Sequence, residues 1–225
     1  GSLIAAAMNV GIDDFMSGRY RLEAQPGSDG RVVNQGRIQA EPGGDVALLG
    51  RTVANEGVIV ATAGRVSLLA GEKATVDFDG DGLLRFSVDE AVVENAQKLD
   101  DQVANTGEIR ADGGQILITA RAAEGVFKHA INNGGLIQAA RIDKQGGKVR
   151  LTGLGPGASV LNTGTVDASA GDIDSRGGRV VVAADTIEQR GTLRADATGD
   201  RGGSVKLVGK SRVTLDAGSE ISVTS

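Results

Sequence analysis

Apolar and polar residues alternate along this chain in short bursts, broken by glycine at regular places. The stretch from Val103 to Ala120, VANTGEIRADGGQILITA, shows the unit. It holds an apolar residue, an Asn two positions on, a Gly, an alternating Ile-x-Ala, a Gly-Gly pair and a second alternating run. Period-two alternation is the pattern of a half-buried strand. Glycine at fixed places marks corners that need positive φ or close backbone approach. Aligned on the Asn, the unit recurs as VVNQGRIQA (32–40), VANEGVIVA (53–61), VANTGEIRA (103–111), INNGGLIQA (131–139) and VLNTGTVDA (160–168). IEQRGTLRA (187–195) has Gln for Asn, and LDAGSEISV (215–223) has neither the Asn nor the Gly. A second apolar run follows in six of these seven registers, starting at Val46, Val66, Ile116, Val149, Val180 and Val205.

The spacing from Asn34 to Asn55, Asn105, Asn133 and Asn162 is 21, 50, 28 and 29 residues, with Gln189 another 27 on. Strands this short, with no helical period between them, exclude βαβ units. A stack in which each turn lies on the last explains them, because one turn cannot bury its apolar face alone. The expected fold is therefore all-β, a right-handed parallel β-helix, the hand following the usual crossover preference. Turns about 4.8 Å apart make seven registers a rod roughly 34 Å long. In such a rod Asn34, Asn55, Asn105, Asn133 and Asn162 are expected to stack as a structural ladder of side-chain amides, satisfying buried corner groups.

The irregular stretches are expected outside the rod. The 50-residue spacing holds an insertion near 72–102. Its first part, TVDFDGDGLLRFSVD, is two alternating runs about Asp-Gly pairs and predicts an extra β-hairpin. Its second part, EAVVENAQKLDDQ, places Val92, Ala96 and Leu99 at i, i+4 and i+7 and predicts a short amphipathic helix. Residues 11–31 read as a further hairpin or cap, and 123–130 as a small excursion. The corners RIDKQ, AGDIDSR and ATGDR read as surface loops.

Composition narrows the interior. The chain has 35 Gly, one Tyr, four Phe and no Trp. Its core must be filled by Val, Ile, Leu and Ala, which suits a thin layered interior. Lys plus Arg is 24 against 29 for Asp plus Glu, a net charge of −5. That balance gives no electrostatic footprint for nucleic acid. No Cys is present, which excludes disulfides and thiolate metal sites and fits export. No apolar run is long enough for a membrane span, and GSLIAAAMNV lacks the basic start of a signal peptide.

Candidate chemistry is sparse. Asp77, Asp79 and Asp81 with Gly82 match the start of a Ca²⁺ loop, but the twelfth position is Val88 rather than Glu. No other cofactor is expected. His129 is the only His, and one His builds neither a metal site nor a catalytic triad. Carboxylates in the late loops, Asp172, Asp174, Asp196 and Asp200, are the residue type of a glycosidase pair but read as solvated loop groups. No Gly-rich corner is a P-loop. No catalytic residue is expected.

VVNQGRIQAEPGGDVALLG, VANEGVIVATAGRVSLLAGEKATVDFDGDGLL and VANTGEIRADGGQILITARAA resemble the secretion domain of filamentous haemagglutinin-like exoproteins of two-partner secretion systems. The resemblance covers roughly residues 1–155, with 156–225 as continuing β-helix stalk. Asn-Pro-Asn motifs that open the family's domain are missing, and Asn9 is not followed by Pro. The chain is thus expected to be the later part of such a domain. The resemblance implies export through the periplasm of a Gram-negative bacterium. There the periplasmic domains of an outer-membrane transporter would capture the chain, which then folds at the cell surface. It implies a structural and binding role in a secreted adhesin, with cell adhesion, biofilm formation and virulence as its setting. The alternatives are a polysaccharide-active β-helix enzyme, or the stem of a haemolysin or contact-dependent toxin-delivery filament.

Overall fold

The computed structural model describes residues 1–11, 20–78, 84–143, 145–171, 173, 176–199 and 201–225. The repeat folds as a parallel β-helix with three strand-bearing faces. A broad face stacks Leu3–Ala6, Val46–Gly50, Arg65–Ala70, Gln115–Arg121 and Lys148–Leu154 in parallel register. A second face, the ladder face, stacks Arg31–Asn34, Thr52–Asn55, Asp101–Asn105, His129–Asn133 and Ser159–Asn162. A third, short face stacks three-residue strands from Arg37–Gln39 and Val58–Val60 to Thr192–Arg194 and Glu220–Ser222. In the last two turns Arg179–Gln189 and Ser204–Leu215 run unbroken from the broad face onto the ladder face.

Like residues stack on like because the register holds from turn to turn, shifting only between Ala184 and Thr186 where the last two long strands pair. Val32, Val53, Val103, Ile131, Val160, Ile187 and Val213 form one inward column. Ile38, Ile59, Ile109, Ile137, Val166, Leu193 and Ile221 form another. From Val53 to Ile187 and from Ile59 to Leu193 these columns, with Val66, Leu68, Ile116, Ile118 and Leu151, make one continuous core; Val32 and Ile38 pack against its first end, and Val213 and Ile221 are exposed in the last turn. The cross-section is so narrow that branched aliphatic side chains fill it without aromatic rings. This is the physical sense of the aromatic-poor composition.

A glycine column sets how closely the corners approach. Gly107 follows Asn105 by two residues, and a Cβ there would overlap the carbonyl oxygen of Gly57 in the turn before. The Gly107 and Thr106 amides both donate to the Asn55 carbonyl oxygen, at 3.0 and 2.9 Å. Any larger residue would force this corner apart.

The excursions all leave from one corner, where the broad face gives way to the ladder face. They emerge there after Ala6, Ala70 and Arg121, in the first, third and fourth turns, while the second turn passes the corner through Arg51 alone. Val53 nevertheless stacks directly on Val103 and Asn55 on Asn105, so the long insertion leaves the rod uninterrupted. The described residues of the polar loops RIDKQ, AGDIDSR and ATGDR sit at the other decorated corner, between the short and broad faces. Arg141–Ile142 and Gln145–Gly146 close the first of them as a small antiparallel pair.

The hairpin in the insertion forms, as Lys73–Phe78 against Leu84–Glu90. It is half of a four-stranded antiparallel sheet completed by Tyr20–Glu23 and Asn9–Val10. This sheet lies over the outside of the broad face. Leu22, Ala74, Val76 and Val88 pack on Ala47, Leu49 and Leu69, which point out of the rod. Val46–Gly50 is therefore buried on both sides and reads as an unbroken apolar run, whereas Gln115–Arg121, beyond the cover, keeps strict alternation.

The short amphipathic helix expected from Val92, Ala96 and Leu99 does not form; the described residues contain no helix. Asn95 takes over the local hydrogen bonding. Its side chain accepts from the Leu99 amide at 3.1 Å and donates to the carbonyls of Leu99 and Val126 at 2.7 and 3.1 Å. Lys98 adopts φ of 53°, which a helix excludes. Val92 instead bridges to Ala122 on the neighbouring excursion and is buried, while Ala96 faces solvent.

The core makes the first test. Truncating Ile109 to Ala should destabilise the rod by about 2–5 kcal/mol. Truncating Glu108, its outward neighbour, should change stability by less than about 1 kcal/mol. Denaturant titration of both variants checks the contrast, and equal losses would contradict the inward placement of the Ile column.

Candidate functional site

The buried polar groups of the rod are concentrated in one column. Asn34 Nδ2 donates to Asn55 Oδ1, Asn55 to Asn105 and Asn105 to Asn133, each at 2.8 Å. Asn133 donates to Asn162 at 2.7 Å, and Asn162 to Gln189 Oε1 at 3.1 Å. All six side chains are buried. The chain of amides also closes at its ends. Asn34 Oδ1 accepts from the Gly36 amide at 3.2 Å, and Gln189 Nε2 donates to the Gly191 carbonyl at 2.8 Å. The next register holds Leu215 opposite Gln189, so it demands no further amide.

The remaining sequence candidates are dispersed. Asp77 lies on the hairpin strand opposite Arg85, but its side chain, Asp79 and Asp81 fall outside the described residues. Asp172, Asp174 and Asp200 do so too. His129 stacks on Asp101 one turn away, with Nδ1 2.7 Å from Asp101 Oδ1, while Asn132 Nδ2 donates to Asp101 Oδ2 at 2.9 Å. This trio staples two turns together. Asp196 sits at the late corner and accepts from the Thr224 amide at 2.8 Å and from the Ser222 and Thr224 hydroxyls at 2.5 and 3.1 Å. Burial pushes its carboxyl up, but these hydrogen bonds outweigh burial and hold it below the ordinary range. Among the described residues no cluster of three His, Asp or Glu is placed to hold a metal ion.

The arrangement most able to recognise another molecule is the decorated corner with its overlying sheet. Its anchor is an ion pair that the repeat pattern does not signal. Arg51 donates from Nε and Nη2 to both carboxylate oxygens of Glu72, at 3.0 and 2.6 Å, and from Nη1 to the Ser28 carbonyl at 2.5 Å. One guanidinium thus fixes the roots of two excursions, residues 7–30 and 71–100, to the rod. Arg51 and Glu72 are 21 residues apart, the length of one short turn, which was the available clue. Between them and the Asn95 turn lies a cleft of about 220 Å³ bordered by Val92, Leu99, Phe127 and Thr52. The outer side of the antiparallel sheet is polar and internally paired. Lys73 Nζ sits 2.9 Å from Glu90 and 3.4 Å from Glu23, and the Glu90 contact raises its pKa. Asp89 accepts from Thr75 and Ser87 at 2.6 and 2.7 Å.

The model of the TPS secretion domain family matches residues 1–167 of the chain. The fold is similar to that of the HMW1 secretion domain from Haemophilus influenzae, with a TM-score of 0.76 and 22% identity. The likeness covers 99% of this chain and 57% of that one, so the chain spans just over half the length of that structure. No curated protein matches the sequence. These findings agree with the resemblance carried by the Asn-x-Gly repeats and the hairpin.

Two measurements follow from the buried groups. Asn105→Ala leaves Asn55 and Asn133 each short of a partner and should cost about 2–4 kcal/mol. Asn34→Ala, at the open end, should cost less than half as much; equal costs would mean the amides do not act as a chain. The Asp196 carboxyl, lowered in the folded state, stabilises the last turn above its unfolded value near 3.8 and ceases to as pH falls through the lower folded value. The protection of the Thr224 amide from hydrogen exchange, taken relative to its intrinsic rate at each pH, should therefore fall on acidification below that value. Unchanged protection across that window would remove the carboxylate from the account.

Proposed function

This chain belongs to the TPS secretion domain family, and we propose that it serves as the export and folding segment of a large two-partner secreted adhesin. It has a structural and binding role without catalysis. The periplasmic domains of an outer-membrane transporter take up the chain, and it folds on the bacterial surface. Residues beyond about 155 extend the rod as a stalk.

The observation that carries this reading is the strictly sequential stacking. Each turn of the broad, ladder and short faces bonds only to the turn before and the turn after. A chain that leaves a pore end-first can add its turns in that order, each burying its apolar columns on a turn already outside. The overlying antiparallel sheet is assembled from residues 9–90, so it is complete once three turns have emerged. It then caps the outside of the broad face early and gives the growing rod a stable first layer.

Adhesin rather than enzyme is favoured by where the polar groups lie. The carboxylates described above are tied to backbone amides, hydroxyls or stacked side chains rather than facing one another across a cleft. The ladder Asn residues serve the rod and take no ligand.

Refolding of variants shortened from either end tests the directional mechanism. Loss of 204–225 should leave the refolding rate of the remainder within about twofold, while loss of 1–50 should slow it strongly or abolish it. Equal effects from the two ends would count against directional stacking. Export in a Gram-negative host, with and without the outer-membrane partner, tests the secretion role. Release that does not depend on the partner would overturn it.

A further inference from the structure

Beyond the cover of the antiparallel sheet, the outside of the broad face carries a groove of about 600 Å³. Phe86, Ser87 and Val88 form one wall, and the floor runs outward from Leu69 and Leu117. Leu84–Glu90 is the last strand of its sheet. Lys73–Phe78 pairs with one side of it, and among the described residues no strand takes the other. None of Lys73, Ala74, Thr75 and Val76 on the paired side lines the groove, whereas Phe86, Ser87 and Val88 do, so the groove follows the unpaired side. Main-chain donors and acceptors on a strand edge seek a partner strand. Arg121 supplies one, donating from Nη1 to the Asp89 carbonyl at 2.6 Å.

The floor is basic. Register places Gln115, Lys148 and Arg179 in one outward column, and Leu117, Arg150, Val181 and Lys206 in the next. Stacked positions are about 4.8 Å apart, and alternate residues of a strand about 6.8 Å. Lys148, Arg150, Arg179 and Lys206 are all exposed, and none forms an ion pair with a described carboxylate. Like charges on adjacent rungs repel. Four together on a chain of net charge −5 make a local field opposite in sign to the molecule.

An occupant that meets both features is extended, carries main-chain amides for the edge, and is negatively charged. We propose that this groove receives an acidic polypeptide segment of a partner, added as a strand along Phe86–Glu90 with its carboxylates over Lys148, Arg150 and Arg179. Leu117 and Val181 between the cations take apolar side chains of the same segment. An acidic polysaccharide would meet the cations but lacks the regular main-chain amides that a strand edge pairs with, and a flat anionic membrane would not enter a groove walled by Phe86–Val88. The inference does not depend on which protein supplies the segment and goes beyond uptake by the transporter.

The test uses a fluorescent peptide alternating Glu and Val, about seven residues long so that it spans the whole edge of roughly 17 Å with a residue to spare at each end. Anisotropy should show binding that weakens as salt rises, and the Lys148→Gln, Arg150→Gln double variant should lose about tenfold in affinity. Amide hydrogen exchange at Phe86–Glu90 should slow when the peptide binds. The proposal is overturned if a Lys-Val peptide binds equally well, or if exchange at Phe86–Glu90 is unchanged. It is also overturned if heparin or phosphatidylglycerol vesicles compete more tightly for the same residues. Partner-dependent export, measured separately, is unaffected by either result.

Discussion

A side-chain amide buried at the corner of a rod must find both a donor and an acceptor, and here it finds them one turn before and one turn after. The carboxamide is the smallest common side chain that offers both on one plane. Stacked at the strand spacing, each Asn satisfies its neighbour, and the chain of bonds polarises along the axis. The cost of breaking it is distributed, because a lost rung orphans a donor on one side and an acceptor on the other. The same geometry locks register. A slip of one residue would place Asn55 against Thr106 instead of Asn105 and turn the Val and Ile columns outward. Register, core and corner spacing therefore depend on one repeated contact, and the glycine two residues on exists because that contact requires the turns to approach so closely.

From this follows the placement of everything irregular. A rod whose interior is fixed turn by turn admits insertions only where a corner leaves the stack, and the decorated corners run along two of its edges. The N-terminal half carries its excursions between the broad and ladder faces; the C-terminal half carries polar loops between the short and broad faces. The insertion of residues 71–100 shows how well the two parts are insulated, since Val53 and Val103 pair as if nothing lay between them. Arg51 then couples the excursions to one another, so that two separate insertions behave as one surface. Its bidentate pairing with the partly buried Glu72 carboxylate provides direction that a nonspecific apolar contact would lack.

Much of this architecture was legible in the sequence because it repeats. The Asn, the Gly and the Ile, each two positions after the one before, recur often enough that each strand of the short face and most of the broad face could be placed from alternation alone. What did not repeat was harder to read. Val92, Ala96 and Leu99 have helical spacing, but Asn95 sits among them with a side chain able to bond the backbone four residues on, and it diverts the segment into a turn. The apolar run VALLG carried a signal that alternation obscured: outward Ala47 and Leu49 require a second covering layer, and the partner layer comes from Leu22 and Val88, far away in sequence. The Arg51–Glu72 pair and the basic columns on the broad face emerge only from register, since their members lie 21 to about 30 residues apart and become neighbours only by stacking.

The consequence for function is that specificity has to reside where the repeat is broken or where its outward positions depart from the average. Inward positions are committed to packing, and a substitution there changes stability before it changes recognition. Outward positions are free in composition, because a parallel strand on a rod needs only its inward face and its main chain. On the short face that freedom is spent on mixed, mutually neutralising charges such as Arg194 with Glu220. On the broad face the cover sheet removes the outward positions of the early turns from solvent, and the first turns beyond it present cations without carboxylates beside an unpaired strand edge. Along its sides the ladder and the stacked main chains leave few polar groups unpaired, so that edge and those charges stand out there, and an incomplete lateral surface is where a partner gains by binding.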